Sequence, residues 1–180
     1  LEYAAALGCR YVLSAGMDAD EARMVDRYEQ LAAAAAKLGL TVGMEFISWN
    51  PMRTLDDARR VRAKVAASNV GIIVDFLHFA RTGGKPADLA EVPAGDFAYA
   101  QICDAEAALA PGCDLAVEAR THRHYPGEGV LPLIGIVEAL PRTIAYTLEA
   151  PSACYRGQPL DIRMRAAAAT ARAFFQYAEG

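Results

Sequence analysis

Five short runs rich in β-branched and aromatic residues recur along the chain, at 10–14, 41–47, 70–75, 97–102 and 143–149, with helical periodicity between them. This alternation constrains the fold more than any other feature, because successive strands joined by helical crossovers lie parallel in one sheet. The intervening helices are predicted at 19–37, opened by acidic residues and closed at Gly39, and at 55–68, N-capped by Thr54 with acids in its first turn. Shorter ones are predicted in the PADLAEV segment and at 131–140, and a closing alanine-rich helix at 160–177. No GxGxxG follows the first run, so the dinucleotide-binding version of an α/β sheet is set aside. The expectation is a (β/α)8 TIM barrel. Five strands cannot close an eight-stranded barrel. The chain is therefore expected to be an incomplete barrel of about five C-terminal βα units in a single domain, 1–180, with about three N-terminal units before Leu1; completion by another chain is the less favoured alternative.

The C-terminal ends of parallel strands are where such sheets build their sites, and here the strand ends carry oxygen ligands. Glu45 lies in TVGMEFI, Asp75 in VGIIVDF, Gln101 in FAYAQIC and Glu149 in IAYTLEA. An ionised carboxylate inside an apolar strand is costly to bury without compensation. Three acids at equivalent positions invite one shared solution, a divalent cation with Gln101 adding a neutral carbonyl oxygen. The alternative is a set of separate salt bridges. An all-oxygen set predicts one Mg²⁺, Mn²⁺ or Co²⁺ ion, with Zn²⁺ less favoured.

Around these four, His78 follows Asp75 by three residues and is expected to share the pocket as a contact in the metal shell, a substrate contact or an acid/base group. Arg120 and Arg123 lie in EARTHRHYPGEG on the longest connection, 104–129, where they are expected to clamp a substrate carboxylate or phosphate. Trp49 is a candidate apolar wall for the substrate. Arg81, with Gly83 and Gly84, reads as a basic loop, Asp104 as a group that orders the metal ligands, and His122 and His124 as loop residues.

The composition narrows the function classes. A formal charge of -4 argues against a nucleic-acid surface, which usually shows clustered Lys and Arg on one face. No run approaches the roughly 18 apolar residues of a membrane span. Four cysteines form no CxxC pair, which fits reduced thiols in a cytoplasmic protein. The expected partner is a small-molecule substrate, with a homo-oligomer allowed.

The segments MEFISWNPMRTLDDA, VGIIVDFLHFARTGG, FAYAQICDA and RHYPGEGVLPL together resemble the xylose isomerase-like TIM-barrel superfamily of sugar phosphate isomerases and epimerases. The resemblance covers nearly the whole chain. It implies one divalent metal held by Glu45, Asp75, Gln101 and Glu149, and substrate roles for His78 and for Arg123 with Arg120 nearby. It also implies proton-transfer isomerisation or epimerisation of a small ketose or hydroxy-carbonyl compound through an enediolate, with Glu45 and Glu149 exchanging the carbon-bound proton. The alternatives are 3-dehydroshikimate dehydratase, whose members can use Gln as a metal ligand, and a non-catalytic binding protein on the same barrel. In the last case the acids would pair with basic side chains. The apurinic endonuclease branch is disfavoured by the three histidines and the acidic balance.

Overall fold

The computed structural model describes residues 1–178. A short helix α1 (Glu2–Ala6) precedes five βα units: β1 (Tyr11–Ala15), α2 (Glu21–Ala36), β2 (Thr41–Glu45), α3 (Leu55–Arg62), β3 (Val70–Asp75), α4 (Phe76–Arg81), α5 (Pro86–Ala90), β4 (Phe97–Ile102), α6 (Leu115–Thr121), α7 (Leu133–Ala139), β5 (Tyr146–Leu148) and α8 (Leu160–Ala178). The five strands form one sheet in the order β1-β2-β3-β4-β5, every neighbouring pair parallel. This is the half-barrel that the strand count implies, with helices on its outer face.

Side chains alternate across each strand, so the sheet has two distinct faces. The outward face carries Val42, Met44, Phe46, Ile72 and Val74, which pack with Met24, Tyr28 and Ala32 of α2 and with Leu55, Ala58 and Val61 of α3 in the main core. The inward face carries Gly43, Ile73 and Tyr99: a Cβ on Gly43 would meet Ile73 at 2.5 Å and Tyr99 at 3.4 Å. Two residues further along each strand, the same face presents Glu45, Asp75 and Gln101. Asp75 and Gln101 are paired in register.

Local signals set most helix starts. The Asp20 side chain accepts the Arg23 N–H at the start of α2, and Thr54 with Asp57 forms a capping box for α3. Gly39 supplies the left-handed turn after α2, at φ +68°. Several elements differ from the sequence reading. Helix α3 stops at Arg62 rather than 68, because Glu29 of α2 captures the Ala66 N–H and the Asn69 amide bridges the Ala32 and Leu40 carbonyls, pulling the chain out of the helix. Strand β5 begins at Tyr146 rather than 143, since residues 141–144 form a turn in which the Ile144 N–H donates to the Pro141 carbonyl. The long connection 104–129 holds a helix, α6, started by Asp114, whose carboxylate accepts the Val117 N–H at 2.7 Å.

The tightest backbone approach in the sheet is at Gly71, where a Cβ would lie 2.8 Å from the Ala98 backbone nitrogen. The neighbour is main chain and cannot swing aside. Gly71→Ala is expected to destabilise the protein by about 1–3 kcal/mol, seen as a lower urea midpoint with an unchanged m-value.

Candidate metal and substrate site

The site sits at the C-terminal ends of β2 to β5. Glu45 ends β2, Asp75 ends β3 and Gln101 is the penultimate residue of β4. Glu149 follows β5 and continues its ladder, its N–H donating to the Ile102 carbonyl at 3.1 Å. The structure thus sets all four residues proposed from sequence at one end of the sheet, with Glu45 near Asp75 and Gln101 against Glu149. Glu45, Asp75 and Gln101 are buried, whereas the Glu149 side chain is partly open to solvent.

Asp75 does two local jobs. Its Oδ1 accepts the His78 N–H at 2.9 Å, capping α4, which springs directly from the strand. Its Oδ2 accepts from Arg123 Nη1 at 2.6 Å. Helix α4 was not part of the sequence reading, although an Asp immediately before FLHF is an N-cap signal. The helix carries His78 back over the strand end, so that Glu45, Asp75 and His78 each place a ligand atom within 4.8 Å of the other two. His78 is held by a 3.3 Å contact between its Nδ1 and Ser48 Oγ, and by the edge of Trp49, whose ring centroid is 5.1 Å away. Arg120, on α6, lies over the other side of Trp49, its Cζ 5.5 Å from that centroid. Trp49, His78 and Arg120 therefore form a continuous wall, with Trp49 and Arg120 exposed and His78 beneath them.

Arg123 is placed differently from the solvent-facing clamp suggested by its loop. It is 2% exposed, and its fork is anchored by Nε to the Ala119 carbonyl at 2.8 Å and by Nη1 to the Glu149 carbonyl at 3.1 Å and to Cys103 Sγ at 3.3 Å. Its Nη2 lies 3.9 Å from Glu149 Oε1.

Two supporting interactions were not legible as such. Arg81, read as part of a loop, is the last residue of α4 and makes a two-pronged ion pair with buried Glu118, at 2.5 and 2.8 Å, that staples α4 to α6. Asp104 does not reach the metal ligands. Its carboxylate accepts the backbone N–H groups of Ala105, Gly127, Gly129 and Leu131, at 2.9 to 3.1 Å, and so closes the PGEG turn onto β4. Neither His122 nor His124 joins the acids: His122 follows the end of α6, and His124 pairs its main chain with that of Asp104.

The electrostatics follow from crowding. Burial, with the Asp75 and Glu149 carboxylates beside it, pushes Glu45 up to about 8. Glu149 is raised mainly by burial, against the pull of Arg123. Burial holds His78 below its usual value, outweighing the attraction of Asp75. A single guanidinium faces three carboxylates, so anionic charge is left over. Gln101 donates its Nε2–H to Glu149, while its Oε1 is buried without a hydrogen-bond partner among the described residues. A buried carbonyl oxygen left unpaired beside surplus carboxylates is what a hard cation would satisfy. The donor set fits a divalent metal.

Because Glu45 holds its proton more tightly folded than unfolded, the stability of the metal-free protein is expected to fall as pH rises from about 4.5 through about 8. Urea titrations across that range should show the decline, and Glu45→Gln should flatten it.

The family model described as the xylose isomerase-like TIM barrel matches residues 1–174. A 3-dehydroshikimate dehydratase of Pseudomonas aeruginosa is 29% identical over 119 residues, covering 66% of this chain but only 18% of that relative. The chain thus spans a small part of the curated relative's length. The crystal structure of the IOLI protein with a binding zinc atom superposes with a TM-score of 0.81, at 19% identity over 94% of this chain and 64% of that one. The apo form of 3-keto-D-glucoside 4-epimerase from E. coli gives 0.70, at 19% identity over 96% of this chain and 67% of that one. At these identities the two structures speak to the fold. The family match over nearly the whole chain, together with five parallel strands in one sheet, shows that this protein belongs to the xylose isomerase-like TIM-barrel family.

Proposed function

We propose that the site binds one divalent metal ion through Glu45, Asp75, Gln101 and Glu149 and removes a proton next to the carbonyl of a small polyhydroxylated substrate. The observation that carries this reading is the buried Oε1 of Gln101, without a partner among the described residues, beside three carboxylates of which only Asp75 and Glu149 contact an arginine. The expectation that a non-catalytic barrel would neutralise its acids with basic side chains is met only in part, since Arg123 contacts Asp75 and approaches Glu149. The all-oxygen donors favour Mg²⁺, Mn²⁺ or Co²⁺. We assign His78 to the substrate rather than to the ligand set: its Nδ1 lies 3.3 Å from the buried Ser48 Oγ, which leaves Nε2 for a second partner.

A bound divalent ion would supply Lewis-acid polarisation of the substrate carbonyl. The chain's residues do the rest. Glu149, open on one side, accepts the carbon-bound proton when ionised, and Glu45 is the second carboxylate of the exchange. Trp49 offers a flat face to the carbon skeleton, Arg120 a cation for a carboxylate or hydroxyl cluster, and His78 Nε2 a hydrogen bond to a substrate oxygen.

Two outcomes are open to the carbanion so formed: reprotonation gives an isomerase or epimerase, and loss of a β-hydroxyl gives a dehydratase. The dehydratase outcome on 3-dehydroshikimate is favoured by the curated relative and by Arg120 at the site's open side, suited to a carboxylate. The epimerase outcome is the second reading, supported by the fold shared with a sugar epimerase.

Thermal unfolding with Mn²⁺ or Mg²⁺ tests the metal. At an ion concentration about 100 times the dissociation constant, the folded state should gain about 2.7 kcal/mol; Gln101→Leu should shrink that gain and Glu149→Ala should abolish it. Turnover of 3-dehydroshikimate set against a panel of ketoses then separates the two reactions. For a carboxylate substrate, Arg120→Ala should raise KM with little change in kcat. An unchanged melting point in the parent protein at every ion concentration would contradict the reading.

A further inference from the structure

Arg123 is the largest fully buried side chain in the protein, and it lies against the proposed metal ligands rather than against open substrate space. We propose that Arg123 is the resident counter-ion of Asp75 and Glu149, competing with the divalent metal for Asp75, while the exposed Arg120 serves as a cation for substrate. The inference rests on the metal-binding reading above.

The geometry divides the work between the two arginines. Asp75 is 0% exposed and both of its oxygens are engaged, Oδ1 by the His78 N–H and Oδ2 by Arg123 Nη1. A metal ion drawing on Asp75 must share an oxygen with the cap of α4 or with the guanidinium. Arg123 is not free to swing away: α6 delivers it, the Ala119 carbonyl holds Nε, and the Glu149 carbonyl and Cys103 Sγ hold Nη1. Nε and Nη1 are committed to protein acceptors, and Nη2 has Glu149 Oε1 as its near acid, at 3.9 Å. The side chain supplies a fixed positive charge that makes three converging carboxylates tolerable before any metal arrives. Arg120 is exposed and stacked on Trp49, with its polar edge available.

A fixed cation and a mobile one that neutralise the same carboxylates are negatively coupled, so removing the first strengthens binding of the second. The test is calorimetric titration of Mn²⁺ at about pH 8.5, where protons compete least for carboxylates, on the parent, Arg123→Met and Arg123→Lys, with melting temperatures measured in parallel. The expected result is a lower metal-free melting temperature for Arg123→Met, Mn²⁺ affinity raised by tenfold or so, and a larger rise in melting temperature on adding Mn²⁺ than the parent shows. Arg123→Lys, which keeps the charge, should stay near the parent's affinity. If Arg123→Met is unfolded without metal, refolding on Mn²⁺ supports the inference and failure to refold at saturating Mn²⁺ overturns it. Parent binding with unchanged or weaker affinity in Arg123→Met overturns this inference alone and makes Arg123 an orienting partner of Asp75. No Mn²⁺ binding by the parent overturns the metal reading and this inference with it.

Discussion

The convergence of three carboxylates on one end of a parallel sheet is the constraint on which the rest of the structure depends. Each acid sits at or just past the end of an apolar strand, and the packing leaves Glu45 and Asp75 no water to solvate them. The protein answers with a buried arginine, a helix cap and crowding that keeps Glu45 protonated to about pH 8. These compensations fall short of three full charges. The shortfall, with the Gln101 carbonyl left unpaired, is the physical content of the metal assignment.

Meeting that constraint requires long-range ties. Arg123 reaches Asp75 across 48 residues of sequence, and it can do so only because the connection after β4 is rigid. Asp104 fastens one end of this connection by gathering four backbone N–H groups, and Gly129 is forced there because a Cβ would lie 2.5 Å from the Asp104 carboxylate. The Arg81–Glu118 pair fastens the middle by locking α6 to α4. The helix that carries His78 and the helix that delivers Arg120 and Arg123 are thereby joined, so the substrate wall and the acids are positioned as one unit.

Much of this was readable from the chain. Alternating apolar runs and helical stretches identify the strand order, and period-two alternation assigns Glu45, Asp75 and Gln101 to one face, because these are short-range patterns. The four candidate ligands are proposed from strand ends alone, and the structure sets them at one end of the sheet. Features that depend on distant partners were less legible. The shortened α3 is decided by Glu29 of the preceding helix, and the burial of Arg123 by groups on β3, β4 and the end of β5. Helices α4 and α6 had local signals, in Asp75 before FLHF and Asp114 before LAVE, that are ordinary N-caps and gain meaning only once the strand ends are fixed. Asp104 fits the same description: an acid after a strand suggests a ligand, and only the fold shows its oxygens facing four amides.

The account centres on a single ion held by oxygens from four consecutive strand ends. Its most direct test is anomalous diffraction from crystals of the protein grown with Mn²⁺. The account predicts one strong anomalous peak among the side-chain oxygens of Glu45, Asp75, Gln101 and Glu149, with His78 outside bonding distance. A peak bonded to His78 in place of Gln101, a peak at another place on the surface, or no peak at an Mn²⁺ concentration that saturates other hard-oxygen sites would contradict it.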